Sequence, residues 1–382
     1  MSAAREFVDD PRFSRAFELP ADPTRGRHSA FRIAYADYGY RKESDAEQET
    51  VLLFFGSLMG SRLVHVAKDK LAKEHGIRII NPDRPGIGGT DAVDPERRVA
   101  VWLGERERHV RGGFFESETD FHQDAIPALL AHLGIKHVSV GCHSCGVIYA
   151  LDMLLHRPDL LHPERPYLAI GAPWILPAHT GSTALSVAQS LPASIIGQTD
   201  KLARLINNHV GPMVGTSVGL VLRLSARLAP KSQSIGERTA DGDMLEDEVW
   251  PAIVQRMYAE GVKGIADDAV LLMQKHHDAG GWGDWGDYDV LVPRLAEALC
   301  AAGRRLKVDV LYAEDDFIVG GEKSKGQIWF DRCWNVRRRD AGIDYSSMTV
   351  KGVDHDGLWD LKSSTVHRVF KELGQQGEPR QN

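Results

Sequence analysis

Short apolar runs take turns with longer amphipathic stretches along most of this chain. Phe31–Tyr38, Val51–Phe55, Ile77–Asn81, His137–Gly141, Tyr167–Gly171, Leu306–Tyr312 and Ser346–Val350 are rich in β-branched and aromatic residues and read as strands. Helical patterns such as Asp120–Leu133 lie between most of them. Continuous apolar runs such as Val51-Leu52-Leu53-Phe54-Phe55 suit strands covered on both faces, where parallel strands sit. The pattern therefore predicts an α/β fold, a mostly parallel sheet with helices on both faces.

The alternation stops from about Trp174 to Asp289. That stretch has no convincing strand but does have a helical set at Leu202, Leu205, Ile206 and Val210. Strand and helix alternate again from about Leu306. Four parts follow: an N-terminal arm at 1–30, a first core segment at 31–174, an inserted helical cap at 175–289 and a second core segment at 290–382. Residues 1–30 are polar and carry Pro11, Pro20 and Pro23, so they are expected to lie across the domain outside its core.

The chain has 382 residues, 43% apolar and 26% charged, which excludes disordered, collagenous and coiled-coil classes. Its 46 basic against 53 acidic residues leave a net charge of −7, so no overall field recruits nucleic acid or an anionic membrane. The basic run Arg337-Arg338-Arg339 reads as a solvated face. The four cysteines, Cys142, Cys145, Cys300 and Cys333, are too few for a disulfide framework. The first residues have no apolar stretch fit for a signal peptide, so a reducing, cytoplasmic setting is expected. The stretch Val210–Leu222, broken by glycines and a proline, is too short to span a membrane.

The sharpest chemical pattern is Val138-Ser139-Val140-Gly141-Cys142-His143-Ser144-Cys145-Gly146-Val147-Ile148. It reads as a strand, a tight turn of small residues and a helix, with Ser144 at the tip. Such a turn lifts a hydroxyl clear of the sheet while the next amide, at the helix N-terminus, faces developing negative charge. The residues two before and two after the serine must be small. Gly146 meets this fully and Cys142 meets it as a small apolar side chain. His143, on the far side of the turn, is not expected to face Ser144.

With four further motifs, this pattern resembles the α/β-hydrolase superfamily over roughly residues 30–174 and 290–375. Phe55-Gly56-Ser57 is similar to the family's oxyanion turn, with Phe55 where the family has histidine. Asp83-Arg84-Pro85-Gly86-Ile87-Gly88 is similar to its Asp-x-x-Gly-x-Gly loop, and Asp83 and Arg84 are expected to brace loops. Ala313–Val319 resembles the acid loop, and Gly352-Val353-Asp354-His355 the histidine loop. Nucleophile, acid and histidine follow in the family's chain order.

The resemblance implies a serine hydrolase with nucleophile Ser144, base His355 and acid Asp316. Asp315 is the neighbouring alternative, and the family's spacing after Ala313 selects Asp316. The amides of Ser57 and Cys145 are the implied oxyanion donors, with Leu58 as the competitor to Ser57. A serine needs such a base, and the base needs an acid to fix its tautomer. No cofactor or metal is implied, and the expected partner is a small-molecule acyl substrate, small to medium and apolar, beneath a helical lid. Epoxide hydrolases and haloalkane dehalogenases carry aspartate at the position of Ser144. The other reading is a ligand-binding member of the same fold that does not turn its ligand over.

Several weaker patterns are set aside. Cys142 to Cys145 is formally a C-x-x-C redox motif, but that reading leaves Asp316 and His355 unexplained. His276-His277-Asp278 lacks the further ligands of a zinc site. Gly86-Ile87-Gly88-Gly89 lacks the spacing of a dinucleotide loop, and Asp241 to Glu248 lacks the order of a calcium loop. Trp282 and Trp285 are expected to pack cap on core, the alternative being that they line a pocket.

Overall fold

The computed structural model describes residues 3–23, 28–42, 49–93, 125–190, 192, 194, 242–273, 287–334 and 342–377. These contribute the strands β1 (Arg15–Leu19), β2 (Phe31–Gly39), β3 (Thr50–Phe55), β4 (Ile77–Pro82), β5 (Ser139–His143), β6 (Tyr167–Gly171), β7 (Leu306–Asp315) and β8 (Ile343–Asp354). They form one sheet in the order β1-β2-β4-β3-β5-β6-β7-β8. β1 and β4 each run antiparallel to β2, and every other pairing is parallel.

In β3, Val51, Leu53 and Phe55 pack into one hydrophobic layer and Leu52 and Phe54 into the other. Alternate side chains point to opposite faces, so a strand covered on both sides has no polar position to spare. The helices are α1 (Ala3–Val8), α2 (Asp69–Glu74), α3 (Ala125–His132), α4 (Gly146–His156), α5 (Pro177–Thr180), α6 (Thr183–Ser190), α7 (Gly242–Glu260), α8 (Lys263–Leu272), α9 (Tyr288–Ala301), α10 (Lys325–Trp334) and α11 (Ser364–Gly377). Helices α3, α4, α9 and α10 bury their apolar residues in the first layer, and α1, α2, α7 and α11 in the second.

Between β6 and β7 the described residues are helical or loop. The set Leu202, Leu205, Ile206 and Val210, the His276-His277-Asp278 cluster, Trp282, Trp285 and Arg337-Arg338-Arg339 lie outside the described residues. Helices α7 and α8 are joined to the sheet region by buried charges. Glu246 of α7 accepts from Lys68 Nζ at 2.8 Å and from the Leu361 amide at 2.7 Å. Among the described residues no helix is long and apolar enough to cross a membrane.

The N-terminal residues depart from their expected place outside the core. Phe13 is fully buried and packs edge-on against Tyr38, with ring centroids 5.6 Å apart, and Arg15–Leu19 is the sheet's edge strand, paired with β2. Pro11 opens a single 3-10 turn capped by the Asp10 carboxylate, so it shapes the segment instead of excluding it from the fold. Arg62 then fastens the segment from inside: its Nε donates to the Phe13 carbonyl at 2.9 Å, and its guanidinium also pairs with Asp83 and Glu260.

Phe13→Ala should therefore lower unfolding free energy by about 3–5 kcal/mol, as for a large core side chain. Urea unfolding checks this, and a segment merely draped on the surface would show almost no loss.

Candidate active site

Ser144 sits between β5 and α4 with φ 52°, a left-handed backbone that non-glycine residues rarely hold. The turn is kept there by its backbone. The Ser144 amide donates to the Gly171 carbonyl at 3.0 Å, and its carbonyl accepts from the amides of Val147 and Trp174 at 3.1 and 3.2 Å. The need for a glycine at 146 is geometric, because a Cβ there would lie 2.2 Å from the Phe55 carbonyl oxygen. Cys142 is buried in the first apolar layer, where a small side chain lets α4 close on the sheet.

Cys145 immediately precedes α4, whose first amides have no partner within the helix and carry its positive dipole end. Its thiol lies 3.9 Å from the Gly56 carbonyl, so the serine turn sits against the turn that follows β3. That second turn holds Ser57 and Leu58. Arg84 fixes it: Nη1 donates to the Gly56 carbonyl at 2.8 Å, and Nη2 to the carbonyls of Ser57 and Leu58 at 2.8 and 2.9 Å.

Asp316 and His355 come together from the ends of β7 and β8. His355 Nδ1 lies 2.9 Å from Asp316 Oδ2, with both side chains buried. Asp316 Oδ1 accepts from the amides of Ile318 and Val319 at 2.8 and 2.9 Å. Burial by itself would raise the Asp316 pKa, but the imidazole and these two amides outweigh it and hold the carboxyl below its ordinary range. An ionised carboxylate can only accept, so His355 Nδ1 carries the proton and Nε2 is left as the basic nitrogen. Asp315 is exposed and takes no part in this pairing.

His143 turns away from the serine tip to the back of the histidine loop. Its Nε2 donates to the His355 carbonyl at 2.9 Å, and the two rings lie 5.2 Å apart. Burial, then the neighbouring His355, pushes the His143 pKa down to about 3, so it is a neutral donor. Trp359 packs beneath the site, edge-on to Phe54 at 4.9 Å, and a Cβ on Gly171 would fall 2.2 Å from its indole nitrogen.

The structure thus joins Asp316 to His355 and sets Cys145, the residue after Ser144, against the turn bearing Ser57 and Leu58. All of these residues follow the C-terminal ends of parallel strands, the end of an open α/β sheet where ligands bind. Two participants that the sequence did not flag are Asp268 of α8 and Tyr149 of α4, which complete the surroundings of Arg84. The only cue to Asp268 was an acid within the apolar run of Lys263–Leu272, with Asp267 beside it.

No protein-family model matches the sequence, and no curated protein matches it at a significant level. Solved structures do match over nearly the whole chain. The epoxide hydrolase VrEH1 from Vigna radiata aligns with a TM-score of 0.53 at 14% identity, covering 95% of this chain and 97% of its own. A thermophilic esterase from Thermogutta terrifontis gives 0.53 at 14% identity, covering 96% and 100%. The enol-lactonase from Burkholderia xenovorans LB400 gives 0.50 at 12% identity, covering 90% and 96%. The chain has the α/β-hydrolase fold. Ser144, Asp316 and His355 follow β5, β7 and β8 of this sheet.

The buried histidines give the site a pH signature. His143 and His65 are both held below the ordinary histidine pKa, first by burial and then by the neighbouring His355 and Lys68 respectively. Below about pH 6.5 the unfolded chain binds protons at these residues that the native chain does not, so stability falls as pH falls, by at most about 1.4 kcal/mol per pH unit for each. His143→Gln, which can still donate to the His355 carbonyl, should show a shallower fall between pH 6.5 and 4. Urea unfolding at stepped pH checks this, and equal slopes in the two proteins would contradict it.

Proposed function

We propose that this protein is a serine hydrolase that cleaves carboxylic esters, lactones or related carbonyl compounds of small to medium size. The observation that carries the reading is the buried Asp316–His355 pair at the end of the same sheet that presents Ser144 on a strained turn. In this reading Ser144 Oγ attacks the substrate carbonyl while His355 Nε2 takes its proton. Asp316 holds Nδ1 and stabilises the imidazolium. The tetrahedral oxyanion is met by the amide of Cys145 at the start of α4 and by that of Ser57, with Leu58 as the neighbouring donor. His355 then protonates the leaving alcohol, and water, deprotonated by the same nitrogen, releases the acid. The residues named need no metal or cofactor for these steps.

Solved neighbours named as esterases, an enol-lactonase and epoxide hydrolases support hydrolytic chemistry, and the serine favours the first two. Aspartate attack on an epoxide carbon gives an ester that water can cleave, whereas serine attack gives an ether that it cannot. Residues 175–289 are proposed as a helical cap that covers the substrate. All four cysteines are free, three of them buried, which suits a reducing, cytoplasmic compartment.

Steady-state hydrolysis of p-nitrophenyl esters of rising acyl length tests the reading. Ser144→Ala and His355→Ala should abolish turnover, and Asp316→Asn should lower kcat by about 10⁴-fold through the wrong imidazole tautomer. Asp315→Asn should leave kcat near wild type. Turnover by Ser144→Ala within tenfold of wild type would overturn the proposal.

A further inference from the structure

We propose that Asp268 of α8, acting through Arg84, holds the Gly56–Leu58 turn in the orientation that aims its amides at the reacting carbonyl. The inference rests on the serine hydrolase reading and adds a positioning residue to it. A trans peptide is planar, with the carbonyl of one residue and the amide of the next on opposite sides. The Gly56 carbonyl is directed to Arg84, so the Ser57 amide faces away from it, and the same holds for the Ser57 carbonyl and the Leu58 amide. The competing donors, Ser57 and Leu58, are therefore oriented by one guanidinium. The Ser57 carbonyl also accepts from the Gly60 amide at 2.8 Å, which closes the turn on itself.

The guanidinium is in turn fixed by Asp268. Arg84 Nε donates to Asp268 Oδ2 at 2.7 Å, with both side chains almost wholly buried. Asp268 Oδ1 accepts from the Tyr149 hydroxyl at 2.6 Å, and Tyr149 lies on α4, the helix that begins just after Ser144. One carboxylate thus sets the separation of the two proposed oxyanion elements. The start of α8 is fastened to the loop that bears Arg84. The Gly264 amide donates to the Gly86 carbonyl at 2.8 Å, and a Cβ on Gly264 would lie 2.1 Å from the Pro85 carbonyl oxygen. A planar fork with rigidly placed donors can hold three carbonyls and a carboxylate at once, which a lysine ammonium cannot. Helix α8, between β6 and β7, is thereby coupled to the geometry that meets the developing charge.

The test compares wild type, Asp268→Asn and Tyr149→Phe in p-nitrophenyl acetate hydrolysis, in inhibition by a trifluoromethyl ketone and in amide hydrogen exchange of the 56–60 peptide. Asp268→Asn should lower kcat at least about tenfold with KM changed less than about twofold, because the loss falls on the transition state. It should weaken the ketone, whose serine adduct carries an oxyanion, by the same factor, and speed exchange at 56–60. Tyr149→Phe, which keeps the ion pair and its charge, should lower kcat about fivefold, and it carries the test if Asp268→Asn does not fold. Unchanged kcat in a folded variant, or a rise in KM alone, overturns the proposal. A wild type that neither hydrolyses the ester nor binds the ketone overturns the serine hydrolase reading, and exchange at 56–60 then still reports whether Asp268 holds the turn.

Discussion

The site depends on one close approach of backbone to backbone. Where α4 begins, the chain passes so near the end of β3 that a methyl group on residue 146 would overlap the Phe55 carbonyl. That contact makes the preceding turn tight enough to force Ser144 into a left-handed conformation, and it brings the start of α4 against the Gly56–Leu58 turn. The left-handed Ser144 is held by its backbone bonds to Gly171, Val147 and Trp174, with Gly171 packed closely against Trp359. The Ser144 hydroxyl and the Gly56–Leu58 turn are therefore placed by how the layers pack.

Buried charge forms a second framework along the sheet. Arg62, Arg78 and Arg84 are each nearly inaccessible, and each is answered by carboxylates: Asp83 and Glu260, Asp37 and Glu49, and Asp268. Exchanging such pairs for apolar residues often costs nothing, whereas breaking one leaves a buried charge uncompensated. Their geometry points to positioning as the gain. Arg84 holds a turn by three carbonyls, and Arg62 holds the N-terminal segment by the Phe13 carbonyl.

The sequence made β2 to β7 legible because their apolar runs are dense and their boundaries are marked by glycine or polar residues. β5 ends two residues later than its apolar pattern indicates, since Cys142 and His143 resemble turn residues yet still pair with β6. β8 extends well beyond Ser346–Val350 because its exposed edge accepts polar side chains that dilute the signal. β1 was hidden by its shortness and by the prolines around it, although Phe13 and Leu19 are core residues. The pairing of Asp316 with His355 and the tight turn at Ser144 were legible because each belongs to a local motif. Asp268 and Tyr149 were not, because their significance lies in partners 184 and 119 residues distant. Local pattern carries the proposed reacting groups, whereas the groups that hold them depend on tertiary contact.

The central claim is that Ser144 is an activated nucleophile, and covalent labelling by a fluorophosphonate probe tests it most directly. A single adduct is expected, located at Ser144 by peptide mass, which disappears in Ser144→Ala and in His355→Ala. A folded wild-type protein that takes up no label, or an adduct on another residue that survives both substitutions, would contradict it.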